Sequence, residues 1–118
     1  MRGHEVIGTV AAAGPAGRGV TVGQRVGIGW TAGSGMHCRP CPSGDQHLCV
    51  QAEPTTIGHR GRFASRVRAH WAWAIPVPAG VDPADAGPLL CGGITVFDPL
   101  AMYAKPTGSA SAGRATWA

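Results

Sequence analysis

Three cysteines, Cys38, Cys41 and Cys49, crowd into the segment GMHCRPCPSGDQHLC with the spacing C-x-x-C-x₇-C. A fourth, Cys91, stands alone far downstream in PLLCGGITVF. Thiols this closely spaced, in a chain with no apolar signal core behind Arg2, point to metal rather than to disulfides, because cytosolic thiols stay reduced. A structural zinc takes four ligands in a tetrahedron. The loop supplies three, with His37 and His47 as the nearest further donors. The pair His4-Glu5 adds an imidazole and a carboxylate at the other end of the chain. Each lone residue has an ordinary alternative: His4 as a surface histidine, Cys91 as a small buried hydrophobe.

The totals restrict what these residues can serve. A chain of 118 residues suits one domain and is short for a complete two-substrate enzyme. Hydrophobic content of 44% with 14% charged residues describes a globular chain rather than a disordered one. Nineteen Gly and ten Pro favour short strands joined by tight turns. No run reaches the roughly 18 apolar residues that a membrane helix needs. The missing signal core leads us to expect a cytoplasmic protein. The net charge of +4 raises nucleic acid as a partner. Its densest expression, the row Arg62, Arg66 and Arg68, lacks the aromatic interleaving and length of a phosphate-tracking groove, and reads better as a solvated sheet face.

The elements that must position the donors follow in order. Glu5–Ala13 (EVIGTVAAA) reads as a strand, Gly14–Gly19 as a turn and Arg25–Trp30 as a second strand. The cysteine segment reads as a loop fixed by Pro40, Pro42 and Gly44. Arg62–Ala69 alternates, with Phe63, Val67 and Ala69 on one side, as a half-buried strand does. Ala74–Val81 is extended, its two prolines barring a central strand. Asp82 reads as the N-cap of a helix over Pro83–Leu90, with Pro83 at the first helical position and Asp85 near the positive end of the dipole. We expect Cys91-Gly92-Gly93 to interrupt this helix and Ile94–Met102 to form a further piece broken at Pro99.

Several words of the sequence carry a family resemblance: G-H-E at Gly3–Glu5, V-G-Q-R-V-G at Val22–Gly27, the cysteine loop, G-R-F-A at Gly61–Ala64, and IPVPAGVDPADAGPLLCGGITV from Ile75 to Val96. The chain resembles the zinc-dependent medium-chain alcohol dehydrogenases, and within them the cinnamyl-alcohol-dehydrogenase-like branch, from about Gly3 to Lys105. The resemblance implies a mainly β fold with minor α: a partly open GroES-like β-barrel over residues 1–104, the N-terminally truncated catalytic domain of a medium-chain dehydrogenase, with the Rossmann domain missing. It implies a catalytic zinc at His4 and Cys91 with Glu5 as a near or alternate ligand. It also implies a structural zinc at Cys38, Cys41 and Cys49, whose first family cysteine falls on Gly35. The implied reaction is NAD(P)-linked oxidation of alcohols or reduction of aldehydes through a zinc-bound alkoxide.

The chain departs from that pattern in three places. The earlier catalytic cysteine and its neighbouring proton-relay residue belong upstream of G-H-E, where this sequence has only Met1 and Arg2. Gly35 offers no ligand, so the loop needs water, His37 or His47 to complete it. No G-x-G-x-x-G occurs, so no cofactor-binding residue is assigned. Residues 105–118 read as a flexible low-complexity tail. Ala115-Thr116-Trp117 matches a Gly-His-Leu coding stretch read one base out of register, as a frame-shifted relic of the cofactor domain would. The expected function is therefore a zinc-dependent alcohol dehydrogenase fragment acting on small alcohols or aldehydes. The alternative is a catalytically inactive zinc-binding fragment or interaction module. A zinc-ribbon nucleic-acid binder would need a second C-x-x-C pair that the chain does not have.

Overall fold

Short β-branched stretches separated by glycine turns build a sheet around one central strand. The computed structural model describes residues 3–57 and 64–103. Strand β1 (Val6–Thr9) pairs antiparallel with β2 (Arg25–Ile28), Val6 opposite Ile28 and Thr9 opposite Arg25. The pairing runs on past β1, with Val10 N–H donating to Gln24 O and Gly23 N–H to Val10 O, both at 2.9 Å. Gly23 takes φ 88°, a left-handed conformation that glycine adopts without steric cost.

A second small sheet joins β3 (Thr31–Gly33) to β4 (Glu53–Pro54), with a register irregularity between Thr31 and Gly33. Strand β5 (Ile75–Pro76) closes the first sheet on the free side of β2, giving the order β1-β2-β5. Pro76 cannot donate to a ladder, and it sits where the proline rule puts it, on an edge strand. The apolar interior is small. Val26, Ile28, Ala32 and Ala86 are buried together with Cys41 and Cys49.

The strands are shorter than Glu5–Ala13 and Arg25–Trp30. Of the expected strand Arg62–Ala69, Arg62 and Phe63 lie outside the described residues, and residues 64–69 form no strand. The alternation survives in exposure alone, with Val67 and Ala69 half-buried and Arg66 and Arg68 exposed. One apolar side against the protein suffices for that pattern, whereas a strand also needs a ladder partner. The tail, residues 105–118, lies outside the described residues.

Helix α1 (Pro83–Pro88) begins as its sequence dictates, with Asp82 Oδ1 accepting from Ala84 N–H at 2.8 Å and Pro83 in the first turn. The expected interruption at Cys91-Gly92-Gly93 does not occur. Leu89–Gly93 forms a π turn, in which Ile94 N–H reaches back to Leu89 O, and the chain continues as α2 (Ile94–Tyr103). Two glycines widen the helix without ending it. Pro99 does not break α2 either, although it removes one backbone donor from the helix.

The π turn lies against two glycines, Gly27 in β2 and Gly29 just beyond its end. A Cβ at Gly27 would meet Leu90 Cδ1 at 2.8 Å, and one at Gly29 would meet the Leu90 carbonyl oxygen at 2.6 Å. A leucine tip can rotate away, but a backbone carbonyl in a helix cannot. Gly29→Ala is therefore expected to destabilise the chain by about 1–3 kcal/mol, as overpacking does, and by more than Gly27→Ala. Urea unfolding of both variants checks this, and a larger loss for Gly27→Ala would contradict it.

Candidate metal centres

Among the described residues, two groups bring three potential metal-binding side chains together: His4 with Glu5 and Cys91, and Cys38 with Cys41 and Cys49. In each, the candidate ligand atoms lie within 4.8 Å of one another.

The first group is assembled across the whole domain. His4 enters β1, while Cys91 is carried by the π turn that β2 receives at Gly27 and Gly29. The result sets His4 Nε2 3.1 Å from Cys91 Sγ, across 87 positions of sequence. The imidazole and the thiol are half-buried and Glu5 is exposed. One further side chain meets the histidine, and another anchors the segment that carries that side chain. Trp30 meets its ring edge-on, with centroids 5.2 Å apart and planes at 80°. Thr55, only 1% exposed, holds the strand end beneath, its Oγ1–H donating to Gly29 O at 2.6 Å and its N–H to Trp30 O at 2.7 Å. Imidazole nitrogen, thiolate and carboxylate are zinc's ordinary donors, and three such ligands leave a tetrahedral position open. The donor set fits that ion.

The second group is local. A tight turn bonds Cys41 N–H to Cys38 O at 3.0 Å and Gly44 N–H to Cys41 O at 3.2 Å. A short 3₁₀ turn, Gln46–Leu48, then returns Cys49 to the same point. Cys38 Sγ lies 3.2 Å from Cys41 Sγ and 3.4 Å from Cys49 Sγ. Bare thiolates repel at that range, so protons or a cation must lie among them. Without a cation, the contact of Cys38 with Cys41, then that with Cys49, pushes its pKa up to about 11. Cys49 is drawn below the usual thiol value, chiefly by the Gly35 N–H that donates to its sulfur at 3.3 Å. Three sulfurs around one point suit zinc. His37 and His47, weighed from the sequence as fourth donors, are exposed and do not join the cluster.

The structure brings the six candidate side chains named from the sequence into two groups, and adds residues that position them. Gly27, Gly29 and Thr55 carry no chemistry of their own, so only packing identifies them. A separate groove, lined in part by Val10, Val26, Ala32, Val67 and Trp71, contains none of His4, Glu5 or Cys91.

Open antiparallel sheets and a capped helix running through a π turn are the frame that sets the thiol–imidazole pair. The alcohol dehydrogenase GroES-like domain matches residues 1–79, and the chain belongs to that family. It is 52% identical over 106 residues to the aldehyde reductase AdhA of Synechocystis sp., a match covering 89% of this chain and 32% of that protein. It is 37% identical to NADP-dependent alcohol dehydrogenase 6 of Saccharomyces cerevisiae, over 83% of this chain and 29% of that one. Among solved structures, the CAD from Helicobacter pylori complexed with NADP(H) superposes with a TM-score of 0.78 at 25% identity, over 84% of this chain and 31% of that one. A cinnamyl alcohol dehydrogenase from Sorghum bicolor gives 0.73 at 29% identity, over 86% and 31%. The chain thus spans about a third of the length of these relatives.

Thr55→Val leaves the Gly29 carbonyl without this buried partner, and is expected to cost about 1–3 kcal/mol. Measured by urea unfolding, an unchanged midpoint would contradict the role given to Thr55.

Proposed function

We propose that this chain is the zinc-holding, substrate-side domain of an NAD(P)-linked oxidoreductase that interconverts small alcohols and aldehydes. His4 and Cys91, with Glu5 beside them, form its catalytic metal centre, and Cys38, Cys41 and Cys49 form a structural lobe. The single observation carrying this reading is the 3.1 Å approach of His4 Nε2 to Cys91 Sγ, since no local turn or helix period explains a contact between residues so far apart in sequence. Zinc, when bound there, supplies a Lewis acid toward an alcohol or carbonyl oxygen. The protein's own part is to aim the imidazole Nε2 toward the Cys91 sulfur, with Trp30 against the ring, and to present that sulfur from the π turn.

The names of the relatives support the substrate class and favour NADP as the cofactor of the whole enzyme. No helix among the described residues is long and apolar enough to cross a membrane, and we assign the protein to the cytoplasm. The sequence holds no G-x-G-x-x-G to cradle a dinucleotide pyrophosphate. The chain by itself, supplied with zinc, NADPH and a cinnamyl-type aldehyde, is therefore expected to oxidise no NADPH above background. Clear zinc-dependent oxidation would contradict this.

Metal content tests the centre itself. After zinc loading and desalting, mass spectrometry is expected to show that His4→Ala and Cys91→Ser each remove the same ion, about one per chain, with no further loss in the double variant. Cys41→Ser should remove a different one. Zinc content unchanged in both His4→Ala and Cys91→Ser would overturn the proposed centre.

A further inference from the structure

The cysteine lobe lacks a side chain at Gly35, yet something stands where that side chain would be. A Cβ built on Gly35 meets Gln51 Oε1 in a close clash, with Gln51 Cδ at 3.3 Å and Gln51 Cβ at 3.4 Å. The carboxamide therefore fills the space beside Gly35. Both residues also face the cluster: Gly35 N–H donates to Cys49 Sγ at 3.3 Å and Gln51 N–H donates to the same sulfur at 3.4 Å. Gly35 and Gln51 thus both donate to Cys49 Sγ, and the Gln51 carboxamide occupies the space beside Gly35.

We propose that the carboxamide oxygen of Gln51 completes the Cys38–Cys41–Cys49 lobe as the fourth zinc donor, in place of the side chain that Gly35 lacks. This rests on the reading of the three cysteines as a zinc lobe. The chemistry is favourable in charge. Three thiolates already outweigh a divalent ion by one unit, so a neutral oxygen closes the tetrahedron without adding repulsion among the sulfurs. Gln51 is exposed, as are His37 and His47, but the histidines lie outside the cluster and do not stand at the Gly35 position. Ser34 is the nearer rival: its Oγ lies 3.8 Å from Cys41 Sγ while its hydroxyl donates to Met36 Sδ at 3.1 Å, so the test includes it.

The test is zinc competition against a chromophoric chelator, with the full chain carrying Cys91→Ser so that only the lobe reports. Gln51→Ala is expected to weaken zinc about tenfold or more, and Gln51→Glu, which keeps a donor oxygen, to restore binding. Gly35→Cys should tighten it, and Gln51→Ala added to Gly35→Cys should then have no effect. That last arm separates ligation from folding, since a merely structural glutamine would be missed equally in both backgrounds. With cobalt in place of zinc, the thiolate charge-transfer band should grow by about a third, three sulfurs becoming four, on Gly35→Cys and stay the same on Gln51→Ala. Three results overturn the assignment: Gln51→Ala binding zinc like the parent, an equal loss in both backgrounds, or a loss that follows Ser34→Ala instead. If the lobe binds no zinc even with Gly35→Cys, the zinc-lobe reading fails, and the fourth-donor assignment falls with it. In the other three cases only Gln51 is displaced.

Discussion

The approach of a helix to a strand whose glycines present no side chain to it is the constraint on which the proposed centre depends. Gly27 and Gly29 let Leu90 and its carbonyl lie against β2, and that seats the π turn carrying Cys91. The extra residue in such a turn rotates the following side chains relative to an unbroken helix, one reason these turns are found at functional sites. His4 lies just before β1, the strand paired to β2. A strand centred between two partners thus fixes both donors, while Thr55 pins its end at Gly29 and Trp30.

The two clusters are built on different physical principles. Local turn geometry makes the cysteine lobe, because Cys38 and Cys41 belong to one tight turn and a 3₁₀ turn delivers Cys49. Tertiary packing makes the His4–Cys91 pair, so it exists only as long as the sheet and helix stay together. Few large side chains are buried, and Cys41 and Cys49 belong to that small interior. Domains with small cores commonly rely on metals or disulfides. A cation in the lobe would accordingly stabilise the fold while leaving the chemistry to the other site. Phe97, Leu100, Met102 and Tyr103 on α2 are exposed, so α2 presents an apolar surface, and the relatives are about three times as long as this chain.

What could be read beforehand followed the range of the interactions involved. Asp82-Pro83 announced a helix start because capping is settled within three residues, and Asp82 does cap Ala84. The C-x-x-C spacing announced a thiol cluster for the same reason. His4 and Cys91 stood out only through resemblance, since nothing near either residue marks it as a ligand. The π turn was misread as a break because two glycines lower helix propensity whether the helix ends or merely widens. The arginine row at Arg66 and Arg68 kept its alternation without becoming a strand, as ladder partners cannot be seen from one segment. Gln51 gave no signal at all, being one polar loop residue among several until Gly35 is placed beside it.

X-ray absorption at the zinc edge tests the proposed catalytic centre most directly, using zinc-loaded chain with the lobe emptied by Cys41→Ser. The remaining zinc is expected to show one sulfur and one imidazole in its first shell, with the imidazole scattering lost in His4→Ala. An all-sulfur shell, or no retained zinc while the sheet remains folded, would contradict the assignment of His4 and Cys91 as one metal centre.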